Sequence, residues 1–307
     1  MDYMEIHQLQ ILRELGDLGS VTAVARSLFV TPSAVSQQLA LLQRGIDVPL
    51  TRKEGRTLVL TDAGRVLATA GAAVIASMAD ARAAIGAFQD DAAAPVTVAG
   101  FHSAGQALFA PLLGKLRGAG APRPMFRDED VAQQDLPALT ARYDLVLAHR
   151  MDHTPGWPAD RVAVVPLAHE PLDIALPAGH PLASRDVLRP ADLAGRDWVV
   201  SREGYSPADI LAAVSAVNGS APRVVHRIND YTTVAALVAT GDVLGILPRF
   251  TAAVPVDAGV VLRPLAGIDN RRRIDLLARP ETLRRRSVRL VADALGDAVR
   301  ELAGDGA

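Results

Sequence analysis

TPSAVSQQLALLQR, residues 31–44, is the stretch from which the fold is read. Thr31 is a helix N-cap residue, and Pro32 suits the first helical position, where no amide hydrogen is needed. Val35, Leu39 and Leu42 then recur at i, i+4 and i+7 as one apolar stripe. The opposite face carries Ser33, Ser36, Gln37, Ala40 and Arg44. Such short side chains let a helix sit deep in a DNA major groove, where glutamine offers a paired donor and acceptor to adenine and serine meets several base edges. An ordinary amphipathic helix with a solvated face has the same pattern. The flanking sequence decides between the two.

Upstream, Ile6, Leu9, Leu12 and Leu15 predict a helix over residues 3–15, punctuated by Gly16 and Gly19. Ser20 caps a second helix over 21–28 that buries Val21, Val24, Ala25 and Leu28, and only Phe29 and Val30 separate it from Thr31. Two helices this close cross steeply. The crossing of a helix-turn-helix unit needs a small residue in the first helix and an apolar one ten positions later, and Ala25 and Val35 supply them. Phe29 stands where many such units place glycine. Downstream, LTRKEGRTLVL, residues 50–60, predicts two short strands around a turn at 53–55. This is a wing, and Arg52, Lys53 and Arg56 at its tip are placed to meet phosphates, which positions a protein without reading sequence. A charged hairpin tip alone is commonly just a solvated turn; beside this helix, phosphate contact is the better reading.

With 307 residues the chain has room for two or three domains. It contains no cysteine, which excludes a disulfide framework, a thiolate zinc site and a cysteine nucleophile, and fits a cytoplasmic protein. Asp2, Glu5, His7 and Gln8 interrupt any signal-peptide pattern, and the most apolar window, residues 66–79, is shorter than the ~20 residues a bilayer requires. The expectation is a soluble protein. A net charge of −2 does not advertise nucleic-acid binding through bulk electrostatics. Placement matters more: the wing's bases are clustered, whereas the acids of the first 60 residues are scattered.

Thr61 caps a further helix, with Asp62 at the positive end of its dipole. Leu67, Gly71, Val74, Met78, Ala81, Ile85 and Phe88 alternate in steps of four and three, a seam typical of helix pairing. Nothing earlier in the chain offers a surface large enough to cover it, so it is read as a dimerisation helix that also links two domains. DDAAAP, residues 90–95, ends it.

Residues 20–44, the LTRKEGR wing and LTDAG at 60–64 together resemble the N-terminal domain of the LysR-type transcriptional regulators. The resemblance is close over roughly the first 90 residues and extends to the remainder in layout only. Two positions depart from the family pattern: Thr51, where a phenylalanine is usual, and Gln43, where an acidic residue is usual.

From Pro95 onward strand and helix patterns alternate, as in parallel βαβ units. Strands are predicted at 96–101, 124–127, 144–149, 172–176, 198–201, 224–228, 244–247, 260–265 and 274–278. Helices are predicted at 106–116, 136–143, 207–217, 231–240 and 288–302. The fold class is therefore α/β, with an N-terminal winged helix-turn-helix and a long linker helix. For the second half, the resemblance implies a two-lobed Rossmann-like effector domain, similar to periplasmic binding proteins. Its crossovers fall near 167–170 and 265–269. The expected division is a DNA-binding domain over 1–61, a linker over 62–90 and an effector domain over 95–307. Lobe one is 95–168 plus 268–307, and lobe two is 169–267.

Open α/β sheets bind ligands at the carboxyl ends of their strands. Those ends give Ser103, Asp128 and His149, with Arg150 next to it, from one lobe, and Ser201 and Asp230 from the other. A serine at such a position is more often a helix cap than a ligand contact, and Asp230 is a particularly good cap. The acidic run Asp128, Glu129 and Asp130 suits a cationic effector or simply solvent. His102 and His149 make too weak a pair for a metal, so no metal or cofactor is expected. The arginine runs 271–273 and 284–286 could touch DNA, but surface solvation is the favoured reading. The expected partners are double-stranded DNA, a small-molecule effector and a second copy of the chain, as homodimer or homotetramer. The competing reading is an α/β enzyme with a helical appendage. GFHSAG at 100–105 fails the nucleophile-elbow spacing, because Gly100 lies three residues before Ser103, and there is no phosphate loop or zinc-binding helix motif. A DNA-binding protein with a vestigial effector cleft is the third possibility.

Overall fold

The computed structural model describes residues 4–55, 57–86, 92–252, 254–255 and 258–304. Its N-terminal unit is a winged helix-turn-helix: α1 (Ile6–Leu18), α2 (Val21–Ser27), α3 (Pro32–Arg44), and the wing strands β1 (Thr51–Glu54) and β2 (Thr57–Leu60). The long helix α4 (Asp62–Gly86) follows. Helix α1 begins and ends later than the periodicity predicts. Glu5 and Gln8 form a reciprocal cap at its start, Gly16 continues the helix, and Gly19 ends it with a φ of 63°. Tyr3 lies outside the described residues. Ala25 and Val35 are both buried, as the steep crossing of α2 and α3 requires, in a core shared with Ile11, Leu12, Leu15 and Leu39.

The turn between α2 and α3 is a Schellman motif. Val30 N–H bonds to Ala25 O at 2.9 Å and Phe29 N–H to Arg26 O at 3.3 Å. Phe29 takes the left-handed position usually given to glycine, with φ 56°, and its ring is 96% exposed. Gln43, at the usually acidic position, donates to both Ile46 O and Val48 O at 2.9 Å and accepts from Leu50 N–H at 2.8 Å. A carboxylate could accept from that amide but could not donate to either carbonyl. The glycine of LTDAG is explained by space: a Cβ on Gly64 would lie 2.0 Å from the carbonyl oxygen of Leu50. Gly71 likewise lets α4 approach Leu9 of α1.

The predicted seam of α4 divides between two uses. Leu67 and Gly71 face the head's own core, whereas Val74, Met78 and Ala81 are exposed. Ile85 and Phe88 lie outside the described side chains.

The second half is built on a mixed sheet, not on the purely parallel one that alternation suggests. Strand β3 (Pro95–Gly100) pairs in parallel with β4 (Arg123–Asp128) and β5 (Leu145–Met151). The fifteen-residue β6 (Ala163–Pro177) runs through both lobes. Its first half pairs with β11 (Arg271–Ala278), and its second half with β9 (Gly245–Pro248) and β10 (Val260–Arg263), all antiparallel. Lobe two adds the parallel pair β7 (Asp197–Val200) and β8 (Arg223–Arg227). Helices α5 (His102–Lys115) and α8 (Arg286–Gly304) cover one face of lobe one, with Leu108, Leu112, Val291 and Leu295 buried on it. Helices α6 (Ser206–Asn218) and α7 (Tyr231–Ala239) cover lobe two around Trp198, Ile210 and Val234. Residues 133–141 form a 3-10 helix in place of the predicted α-helix, with Pro137 inside it. Among the described residues no helix is long and apolar enough to cross a membrane.

The head also docks on lobe one. Arg279, buried at the end of β11, pairs with Glu14 of α1, reaches Asp17 at 3.3 Å and donates to Thr140 O at 3.1 Å. Arg13 bonds to Glu281 at 2.8 Å, and Arg161 lies 3.5 Å from Asp17. Burial outweighs these cations and holds the Glu14 and Asp17 carboxyls above their ordinary range.

Candidate functional site

Two surfaces carry chemistry. The first is the exposed face of α3. Thr31 caps the helix, its hydroxyl accepting from Ala34 N–H at 3.2 Å. Val35, Leu39 and Leu42 are buried beneath, which leaves Ser33, Ser36, Gln37, Ala40 and Arg44 exposed together. Ser36 donates back to Pro32 O at 3.0 Å, so its oxygen lone pairs remain as acceptors, while Gln37 keeps a full amide for an outside partner. In the wing, Thr51 to Glu54 face Leu60 to Thr57 in antiparallel register. Arg52 is engaged by Glu54 at 2.6 Å and Lys53 is exposed. Arg56 lies outside the described residues.

The second surface is the cleft between the lobes, where strand ends converge. His102, the first residue of α5, spans it. Its Nδ1 lies 2.7 Å from Asp128 of lobe one and its Nε2 lies 3.0 Å from Asp230 of lobe two. A neutral imidazole has one N–H, so only the imidazolium donates to both carboxylates. The hydrogen bond to Asp128 is the main cause that raises the His102 pKa, partly offset by the loss of solvent around the ring. Asp230 also caps α7 through Thr233, and those bonds, with His102, hold its carboxyl below the usual range. Beside this bridge, Arg202 donates to Asp130 at 2.5 Å, Asn229 to the same carboxylate at 3.1 Å, and Tyr205 O–H to Asp130 O at 3.1 Å. Asp130 belongs to lobe one and its three partners to lobe two.

The floor of the cleft is buried. His149 contacts the Ser206 hydroxyl at 3.2 Å and packs edge-on against Phe101, and burial first, then Arg272, lowers its pKa so that the ring is neutral. Ser103 lies 3.3 Å from the Thr251 hydroxyl. Next to it, Arg272 and Glu170 form an ion pair at 2.8 Å with side chains 1% and 0% exposed. The carboxylate of Glu170 accepts the backbone N–H groups of Phe250 and Thr251 at 2.7 and 2.6 Å, and Arg272 also donates to Thr251 Oγ1 at 2.7 Å and stacks beneath Phe101. This fully partnered cluster pins the two lobes at the point where β6 and β11 cross between them.

Arg272 thus corrects the assignment of the 271–273 run to solvent. A β-strand alternates its faces, so Arg271 and Arg273 point outward to Asp152 while Arg272 points inward. In the 284–286 run, Arg284 pairs with Asp80 and Arg285 with Asp144. Of the predicted cleft residues, Asp128 and Asp230 meet through His102, and Ser103 and His149 lie buried on the floor. Ser201 directly follows β7, with its hydroxyl buried and without a hydrogen-bond partner. The sequence reading missed the roles of His102, Arg202, Ser206, Thr251, Glu170 and Arg272. Among the described residues, no group of three or more His, Cys, Asp or Glu residues is placed to hold a metal ion.

Comparison with known proteins gives the same two halves. The profile of the bacterial regulatory helix-turn-helix protein, lysR family, matches residues 6–65, and that of the LysR substrate binding domain matches residues 89–300. The small neutral protease regulatory protein of Streptomyces coelicolor is 31% identical over 79% of this chain and 73% of its own length. A full-length OxyR cysteine variant from Pseudomonas aeruginosa superposes with a TM-score of 0.67 at 20% identity, covering 95% of this chain and 98% of that one. Full-length CbnR complexed with its target DNA superposes with a TM-score of 0.51 at 19% identity, covering 95% and 100%.

Proposed function

Because the chain belongs to the LysR family of bacterial helix-turn-helix regulators, we propose that it reads a specific DNA site with α3 and adjusts that reading to a small molecule held between its lobes. It is a transcriptional regulator, not an enzyme. The observation that carries the reading is α3 itself: capped at Thr31, buried along Val35, Leu39 and Leu42, and open along Ser33, Ser36 and Gln37 beside a basic wing. In this reading Ser33, Ser36 and Gln37 discriminate among bases, while Arg52, Lys53 and Arg56 hold phosphates. The working division is a head over 1–61, a linker over 62–90 and an effector domain over 95–307. Val74 and Met78, exposed on α4, support pairing of two copies along that helix.

The effector site comprises Ser103, Asp128, His149, Ser201 and Asp230. Support comes from the fact that all but Ser201 take part in hydrogen bonds that cross between the lobes: Asp128 and Asp230 through His102, Ser103 to Thr251, and His149 to Ser206. A ligand there acts by linkage, shifting DNA affinity only by its differential affinity for the two lobe arrangements, typically ~1–3 kcal/mol. The absence of cysteine closes thiol chemistry to this response.

The decisive experiment selects a preferred site from random DNA and compares Gln37→Ala with the parent chain by gel shift. The reading expects relaxed base preference at one position, with ~1–3 kcal/mol less discrimination. Unchanged affinity and preference would remove Gln37 from the reading face. A metabolite panel read by thermal shift separates a working cleft, which yields a specific stabiliser, from a vestigial one.

A further inference from the structure

A second cavity lies away from the inter-lobe cleft, where the head meets lobe one. It holds about 500 Å³, within the ~300–1,000 Å³ range of small-molecule sites. One wall is the loop of residues 154–158, TPGWP, and the other is the 3-10 helix of residues 133–141; Asp17 of α1 and Arg161 close one end.

The chemistry of these walls is specific. Arg150 is largely buried, and its Nη1 donates to Thr154 O at 3.1 Å. Its Nε is buried with no hydrogen-bond partner. The nearest carboxylate, Asp275, is 3.8 Å away and already accepts the indole N–H of Trp157 at 2.7 Å. The guanidinium is therefore left short of negative charge. Because Trp157 spends its one polar atom on Asp275, it is fixed and offers the cavity only its ring, alongside Pro137, Pro155 and Pro158. A flat apolar wall beside an undercompensated arginine suits a ring that carries a negative charge.

We propose that this junction cavity is a second ligand site, distinct from the inter-lobe cleft, that takes an aromatic carboxylate with its charge on Arg150 and its ring against Trp157. Since Asp17 belongs to the head, an occupant touches both domains and biases how the head docks. That regulatory consequence rests on the DNA-reading role of α3; the binding itself does not.

The chain has two tryptophans, and Trp198 is buried in the lobe-two core, so Trp198→Phe leaves Trp157 as the sole indole reporter. Benzoate is titrated into this full-length variant without DNA, with benzamide as the uncharged counterpart. The expected result is a saturable change in Trp157 emission with benzoate, at least about tenfold weaker with benzamide and in Arg150→Gln. Ser103→Ala, in the cleft, should bind benzoate as its parent does. Arg161→Gln, on the exposed rim, provides a second variant should Arg150→Gln fail to fold, and is expected to weaken binding severalfold. The proposal is overturned by any of three results: no saturable change up to about 10 mM; equal binding of benzoate and benzamide; or binding lost in Ser103→Ala and kept in the cavity variants. Because no DNA is present, failure here leaves the α3 reading untouched, and failure of Gln37→Ala leaves this site untouched.

Discussion

Replacing Phe29 by glycine separates what the turn costs from what it contributes. The residue sits at φ 56°, where an L side chain loses roughly 1–2 kcal/mol that glycine does not. Its ring is 96% exposed, so truncation gives up almost no burial. Glycine adds freedom to the unfolded chain, which returns ~0.5–1 kcal/mol of the gain. The net expectation is a head more stable by about 0.5–1 kcal/mol. Hydrogen exchange of the core amides of α1 and α3 reads this as two- to fivefold slower exchange, roughly. Phe29→Asn, which tolerates the same backbone, should move in the same direction by less. The residue lies two positions before the cap of α3, on the side of the reading face; if its exposed ring contacts DNA there, Phe29→Gly should weaken binding to all sequences alike. Faster exchange in Phe29→Gly would refute the reasoning, because it would mean that the ring stabilises the head despite its exposure. Stronger exchange protection with unchanged DNA affinity would refute the second half alone.

Other consequences follow from the charges. His102 has a raised pKa in the closed cleft, so its contribution to closure is complete below the ordinary histidine value of about 6.5 and is lost as pH rises through the raised value. Small-angle scattering across that window should show the lobes loosening, and His102→Gln should flatten the response; an equally steep profile in the variant would place the titration elsewhere. Arg279→Met leaves Glu14 and Asp17 buried beside fewer cations, a change worth about 3–5 kcal/mol when a buried pair is broken. Exchange along α1 should rise sharply and recover in part in Arg279→Met with Glu14→Met, whereas additive effects of the two changes would argue against direct coupling. Lys53→Ala should lower the salt dependence of DNA binding by about one unit of slope without changing base preference; a changed preference would make Lys53 a base reader.

The head was legible because its signals are local: Thr31, Pro32, the Val35 stripe, and the Ala25 to Val35 spacing all lie within a few turns of one another. The second half yielded its strands but not their pairing. Only residues 172–176 of β6 read as strand, because Pro166, His169, Glu170 and Pro171 interrupt the apolar pattern where the chain passes between lobes and its polar groups find partners across them. The apolar pattern of Leu108, Phe109, Leu112 and Leu116 places the start of this helix at Gln106, whereas α5 begins at His102. That misplaced His102, whose position in the first turn aims it across the cleft. Three identical arginines hide a period of two, so nothing in the letters distinguished Arg272 from its neighbours. Docking of the head was invisible for a different reason: Arg13 and Glu281 are 268 positions apart, and both look like ordinary surface charges until the fold brings them together.

Helix α1 belongs to two packing surfaces at once. Leu12 and Leu15 lock it into the head, and Arg13, Glu14 and Asp17 lock it onto lobe one. A head transplanted from this chain onto another effector domain would therefore carry three charged side chains shaped for Glu281, Arg279 and Arg161, and would lose its seat unless those partners travelled with it. Chimeric regulators assembled by cutting at the linker helix would keep the operator of one parent while uncoupling it from the signal of the other. The correct seam for such an exchange runs through the docking residues, not through the chain between the domains.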